Sequence, residues 1–160
     1  MESTESELAD TKAKFELGFA RIELSSLNFD CAFRIKHSIH KDKSACEKAV
    51  SVLLEVFKFD GCHRYDEENF MEAVVDKDDL DQSVVNAGLE PLTFKATTRE
   101  ALSTPLSIPA LDIHGRVDCL DGLQRTNAAK AFLNQNDQWW IVRLFSRDCK
   151  NTLRPREPNL

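Results

Sequence analysis

The sequence predicts an α/β (α+β) protein, a small mixed sheet with packed helices, formed by one domain over residues 15–146. Three observations carry that expectation. Candidate strands and helices alternate along the chain, as they do where helices cover a sheet. Residues 44–58 hold a strongly patterned helix. The stretch Gly115–Leu133 runs from an apolar lead-in through Gly122 into a second helix, with the strand-like Trp139-Trp-Ile-Val-Arg-Leu-Phe145 behind it. With 160 residues, 42% of them hydrophobic, the chain is long enough to bury a core.

Residues 1–14 lack apolar periodicity and are expected to form a flexible N-terminal tail. In Leu17-Gly-Phe-Ala-Arg-Ile-Glu-Leu24 the apolar positions Phe19, Ile22 and Leu24 suggest a strand, and residues 28–35 a second extended piece with core aromatics. Ser44 followed by Glu47 fits a capping box, in which each side chain satisfies an orphan backbone N–H at the helix start. Cys46, Ala49, Val50, Leu53 and Phe57 then recur at helical spacing, Lys58 suits the negative end of the dipole, and Gly61 turns the chain. Phe70–Val75 reads as a strand, and Asp78–Ala87 as a short helix stopped at Gly88 and Pro91. Residues 90–113, with Pro91, Pro105 and Pro109 among serines and threonines, are expected to be a long loop. Adjacent strand residues face opposite ways, so of Trp139 and Trp140 one belongs to the core and the other is half exposed. Arg143, Arg147, Lys150, Arg154 and Arg156 form a basic cluster, and residues 147–160 are expected to be a solvated basic tail.

Composition excludes several classes of function. A net charge of −6 disfavours gripping nucleic acid by bulk electrostatics, which needs a basic face. The five cysteines are odd in number and unpaired in spacing, which predicts reduced thiols. The acidic start, Met1–Asp10, is no secretory signal, and no apolar run approaches membrane-spanning length. The expectation is a soluble intracellular protein, cytoplasmic or nuclear, with no membrane role. No metal site is predicted: His37 and His40 are a weak pair, and the acidic residues 76–81 lack the glycine and terminal glutamate of a calcium loop.

Two chemistries compete for the stretch around Gly122. The first starts from Cys119 and Arg125, separated by five residues and followed by Thr126. This resembles the loop of cysteine phosphatases, and Arg116, Cys119, Asp121, Leu123, Arg125, Thr126 and Asn127 resemble the Sac-type phosphoinositide phosphatases. That resemblance implies Cys119 as nucleophile and Arg125 as phosphate clamp, with the helix start favouring thiolate and anion. Against it, Asp118 stands where tyrosine phosphatases place a histidine, and Asp121 adds a second acid.

The second starts from Gly122-Leu-Gln-Arg-Thr-Asn-Ala-Ala129, which is similar to the Gly-x-x-Arg-x-x-Ala-Ala box of the ParB and sulfiredoxin superfamily. The resemblance implies that the helix start binds a nucleotide phosphate, that Arg125 neutralises it, and that the alanines let the helix pack closely. A wider resemblance covers residues 17–146. Leu17-Gly-Phe19, Phe29–Arg34, Gly61–Asn69, Cys119-Leu-x-Gly-x-x-Arg125 and Trp139-Trp140 stand in the order of a fungal domain family of unknown function, whose members are usually longer. Gly61-Cys-His-Arg-Tyr65 looks like the sulfiredoxin catalytic motif but follows a helix, which favours a turn with Arg64 paired to a nearby acid.

The favoured reading is a non-enzymatic nucleotide- or nucleic-acid-associated module. Gly122, Arg125, Thr126 and Asn127 would form its phosphate site, and a nucleoside triphosphate is the ligand implied. The cysteine-dependent phosphatase is the alternative, and a truncated accessory protein without ligand the third.

Overall fold

A computed structural model describes residues 12–29 and 43–147. The elements are β1 (Glu16–Glu23), β2 (Leu27–Asn28), α1 (Lys43–Asp60), β3 (Met71–Val75), α2 (Lys77–Asn86), α3 (Pro91–Glu100), β4 (Val117–Cys119), α4 (Leu123–Phe132) and β5 (Trp139–Ser146), joined by short 3-10 turns. The strands form one mixed sheet in the order β1-β5-β3-β4-β2. β1 runs antiparallel to β5, β5 parallel to β3, β3 antiparallel to β4, and β4 parallel to β2. The fold class expected from the sequence is therefore observed.

Side-chain alternation divides the sheet into two faces. Ala20, Ile22, Met71, Ala73, Val75, Val117, Cys119, Trp140, Val142 and Leu144 share the main core with Phe57 of α1, Leu80 and Val84 of α2, Phe94 of α3, and Ala128 and Ala129 of α4. The second face carries Phe19 and Ile141, packed with Phe70 and Ile108, and Val74 with Phe145. It also carries charge. Glu16, with no side-chain exposure, accepts from Arg99 (2.8 Å) and Arg143 (2.7 Å). Trp140 is buried on the first face and Trp139 half-buried on the second, as alternation requires.

The Leu17-Gly-Phe19 motif acquires a physical reason. The β1–β5 register shifts between Glu16 and Gly18, and Gly18 has φ +137°. A Cβ there would stand 2.8 Å from both the Phe94 ring and Thr98 Oγ1. The Phe19 N–H donates to that same hydroxyl at 3.1 Å. The glycine thus lets α3 lie directly on β1.

That contact corrects one expectation. Residues 90–113 are not a loop: Pro91–Glu100 is helical, Ala101–Ser103 and Pro105–Ser107 are 3-10 turns, and Ala110 bridges to Arg21 on the outer side of β1. The sequence disguised α3 because its buried positions, Phe94 and Thr98, include one large apolar side chain, leaving no hydrophobic stripe to read. Pro91, read as a helix stop, occupies the first turn, where its missing N–H costs nothing.

Contacts of the fold also extend past residues 15 and 146. Lys12 lies in a helical turn and binds Glu72 at 3.1 Å, and the Ala13 carbonyl accepts from Lys95, so the fold reaches into the expected N-terminal tail. Of the basic C-terminal cluster, Arg143 and Arg147 are ion-paired within the fold. The rest of both tails, the extended piece beyond Phe29, His37 and His40, and the Ser44 side chain of the expected capping box lie outside the described residues. α1, α2, β3 and β5 appear within a few residues of expectation, with Gly61 (φ +87°) and Gly88 (φ +79°) ending the two helices.

Candidate functional site

The loop between β4 and α4 is fastened to β3 by reciprocal bonds. The Leu120 N–H donates to the Glu72 carbonyl at 2.8 Å, and the Glu72 N–H donates to Asp121 Oδ1 at 3.2 Å. Gly122 then takes a left-handed conformation (φ +91°) and opens α4, whose first turn has no side-chain cap. A Cβ at Gly122 would lie 3.0 Å from Met71 Cγ and Sδ, so its small size serves close packing of the loop on β3. Behind it, Ala128 and Ala129 are fully buried and bring α4 against the sheet. The result is a helix start whose leading N–H groups carry the positive end of the dipole.

Arg125 stands half-buried in the first turn of α4. Its Nη1 donates to the Asn69 carbonyl at 3.0 Å, and the Trp140 indole donates to the same oxygen at 2.8 Å. Asn127 is exposed. Gln124 reaches Cys46 Sγ at 3.9 Å, tying α4 to α1. Gly122, Arg125 and Asn127 therefore share the helix start or its exposed side.

Two expected site residues face elsewhere. Thr126 is 1% exposed and its hydroxyl donates to Met71 Sδ, so it is a packing residue and cannot meet an outside phosphate. Cys119 is 0% exposed, on the main-core face of β4 opposite Ala73. A nucleophilic thiol needs access and a thiolate-favouring environment. This one lies within the main core at 0% exposure, which counts against the nucleophile role that the phosphatase resemblance implies.

The two acids flanking Cys119 are in contrasting electrostatic settings. Asp118 lies on the second face of the sheet, away from the thiol. Burial alone would raise its pKa, but hydrogen bonds from Arg147 and Asn28, with the charges of Arg147 and Arg116, hold it below the usual value. Asp121 is raised, first by desolvation of its carboxylate and then by the charge of Glu72, against lowering by the Glu72 amide, Arg125 and Lys12. The acid beside the helix start is therefore the one most readily neutralised.

Asn69, in the turn before β3, and Glu72 on β3 adjoin Arg125 and the β4–α4 loop, and no spacing in the sequence could have linked them to Arg125. The Gly61–Tyr65 segment is the turn expected. His63 lies between Asp60 (3.1 Å) and Asp66 (3.5 Å), and Arg64 pairs with Asp137 at 2.8 Å. Among the described residues, no group of three or more His, Cys, Asp or Glu side chains converges as a metal site, and no helix is long and apolar enough to cross a membrane.

A family model described as a protein of unknown function (DUF3723) N-terminal domain matches residues 14–156. No curated protein and no solved structure matches the chain.

Proposed function

We propose that this chain, which belongs to the family of the DUF3723 N-terminal domain, is a non-enzymatic module that binds a phosphate-bearing ligand at the start of α4. The observation that carries the reading is Arg125 in the first turn of an uncapped helix opened by a left-handed glycine. Helix-start N–H groups and an arginine fork are complementary to phosphate oxygens. The binding set is narrower than the sequence suggests: Gly122 shapes the turn, the leading amides and Arg125 hold the phosphate, and Asn127 flanks it, while Thr126 is withdrawn. The similarity of Gly122–Ala129 to the ParB and sulfiredoxin box supports a nucleotide as the ligand, and a nucleoside triphosphate is its first candidate. Burial of Cys119 favours binding over the cysteine-phosphatase alternative.

Asp121 tempers this affinity, since its carboxylate adjoins the anion position. Neutralising it should tighten binding, which distinguishes a phosphate at this helix start from one elsewhere.

The test is thermal unfolding of the wild type and Arg125→Ala with ATP, CTP, GTP or inorganic phosphate. A ligand at a hundred times its dissociation constant adds about 2.7 kcal/mol. Stabilisation of the wild type that is lost in Arg125→Ala supports the site. Equal stabilisation of both proteins, or none of either, refutes it.

A further inference from the structure

The site at α4 leaves the Gly61-Cys-His-Arg-Tyr65 segment without a role. This segment follows the end of α1 and is pinned on both sides of His63. Cys62 packs against the main core, and Arg64, 8% exposed, pairs with Asp137 and lies 3.5 Å from the centroid of the Trp139 ring. Between them His63 takes φ +49°, the one positive φ at a non-glycine residue among the described residues. A left-handed backbone is costly for a residue with a side chain and persists where surrounding contacts hold it. Those contacts start at the His63 carbonyl, which accepts from the Asp66 N–H and from Asn69 Nδ2, both at 3.1 Å. The Asn69 N–H donates back to the Asp66 carbonyl at 2.9 Å. The Asn69 carbonyl in turn receives the indole of the buried Trp140 at 2.8 Å and Arg125 at 3.0 Å.

The ring of His63 closes the same turn from outside. Nε2 stands 3.1 Å from Asp60 Oδ2, and Nδ1 stands 3.5 Å from Asp66 Oδ2. A neutral imidazole has one N–H and one lone pair, so it satisfies one of these carboxylates and turns its lone pair on the other. The imidazolium faces both with an N–H. The end of α1, whose last carbonyls carry the negative end of the dipole, favours the cation as well. The charged groups facing the ring are Asp60 from α1 and Asp66 from the turn, and among the described residues neither has another ion-pair partner. The neighbouring Arg64 is turned away, onto Asp137 and Trp139. We infer that His63 is a proton-dependent clasp on the 60–69 turn. The imidazolium ties Asp60 to Asp66 and holds the turn closed, and loss of its proton loosens the turn and the Asn69 anchor of Trp140. The contribution is present while the ring is charged and is lost as pH rises. This device needs no ligand at α4.

The test is hydrogen exchange of the full chain followed by 1H–15N spectra, with intrinsic exchange rates divided out. It compares about pH 5 with about pH 8, the interval across which imidazole changes charge. The expected result is that protection of the Asp66 and Asn69 amides and of the Trp140 indole falls about threefold from the lower pH to the higher, the size of half-exposed ion pairs. His63→Asn removes the titrating ring and places there a residue that tolerates positive φ, so its protection should be the same at both pH values. Asp60→Asn with Asp66→Asn keeps the ring and removes the charges it faces. In that variant the ring protons should still titrate while protection stays constant. Equal protection of the wild type at both pH values overturns the inference, and so does the same fall in His63→Asn or in the double aspartate variant.

Discussion

Arg147, the residue that follows β5, donates through Nη1 to the buried carboxylate of Asp118 on β4 and through Nε to Asp76 at 3.0 Å. Asn28 on β2 donates to the other Asp118 oxygen at 2.6 Å, and Arg116 pairs with that oxygen at 3.2 Å. One carboxylate thus joins the edge strand β2 to the chain leaving β5, which gives Asp118 a structural role apart from the site proposed at α4.

Removing Arg147 should therefore destabilise the fold. Breaking a buried pair costs about 3–5 kcal/mol when the remaining charge is uncompensated. Asn28 and Arg116 remain beside Asp118, so Arg147→Ala should cost on the order of 2 kcal/mol by urea unfolding at pH 7. The folded pKa of Asp118 is lowered from 3.8, so its contribution is present above that value and is lost as pH falls through the folded pKa. The stability gap between the wild type and Asp118→Asn should close in that acid range.

Asp121 should show the opposite sign. Its folded pKa is raised from 3.8, so its contribution is full below that value and is lost as pH rises through the folded pKa. Asp121→Asn keeps an acceptor for the Glu72 amide and removes the charge. Calorimetry should give a higher unfolding temperature for this variant at pH 7 and a vanishing difference below about pH 4. Tighter phosphate binding by the same variant is the corresponding result for the proposed site.

Gly18→Ala should be severe. The added methyl would meet Phe94 and Thr98 at 2.8 Å, and the backbone has φ +137°. Overpacking and backbone strain each cost about 1–3 kcal/mol, so a loss of about 3 kcal/mol in urea unfolding is expected. A loss below about 1 kcal/mol would mean that α3 does not rest on β1 as described.

The sequence was informative where burial repeats at a regular spacing. α1 shows its half-buried face in Ala49, Val50, Leu53 and Phe57, and β5 is a nearly continuous apolar run. It failed at α3, whose inward contact depends on a glycine in a distant strand and on a threonine hydroxyl. At the candidate site, Gly122, Arg125 and the two alanines were legible as a turn and a helix start. The inward rotation of Thr126 was not, because it depends on Met71 reaching across from β3. Asn69 and Glu72 were invisible for the same reason: sheet order, which the local pattern does not encode, brings them beside α4.

Cys119 should behave as a core residue. Iodoacetamide labelling followed by peptide mapping should leave it unmodified in the native protein and modify it in denaturant, because its exposure is 0%. Rapid native labelling of Cys119 would restore the nucleophile reading.

The most direct measurement of the proposed function is a two-dimensional 1H–15N titration of the wild type and Arg125→Ala with inorganic phosphate. The predicted result is saturable shifts of the Leu123, Gln124 and Arg125 amides in the wild type, with saturation lost in Arg125→Ala although its spectrum remains that of the folded protein. Unmoved α4 amides in the wild type, or the same saturable shifts in Arg125→Ala, would contradict phosphate binding at this helix start.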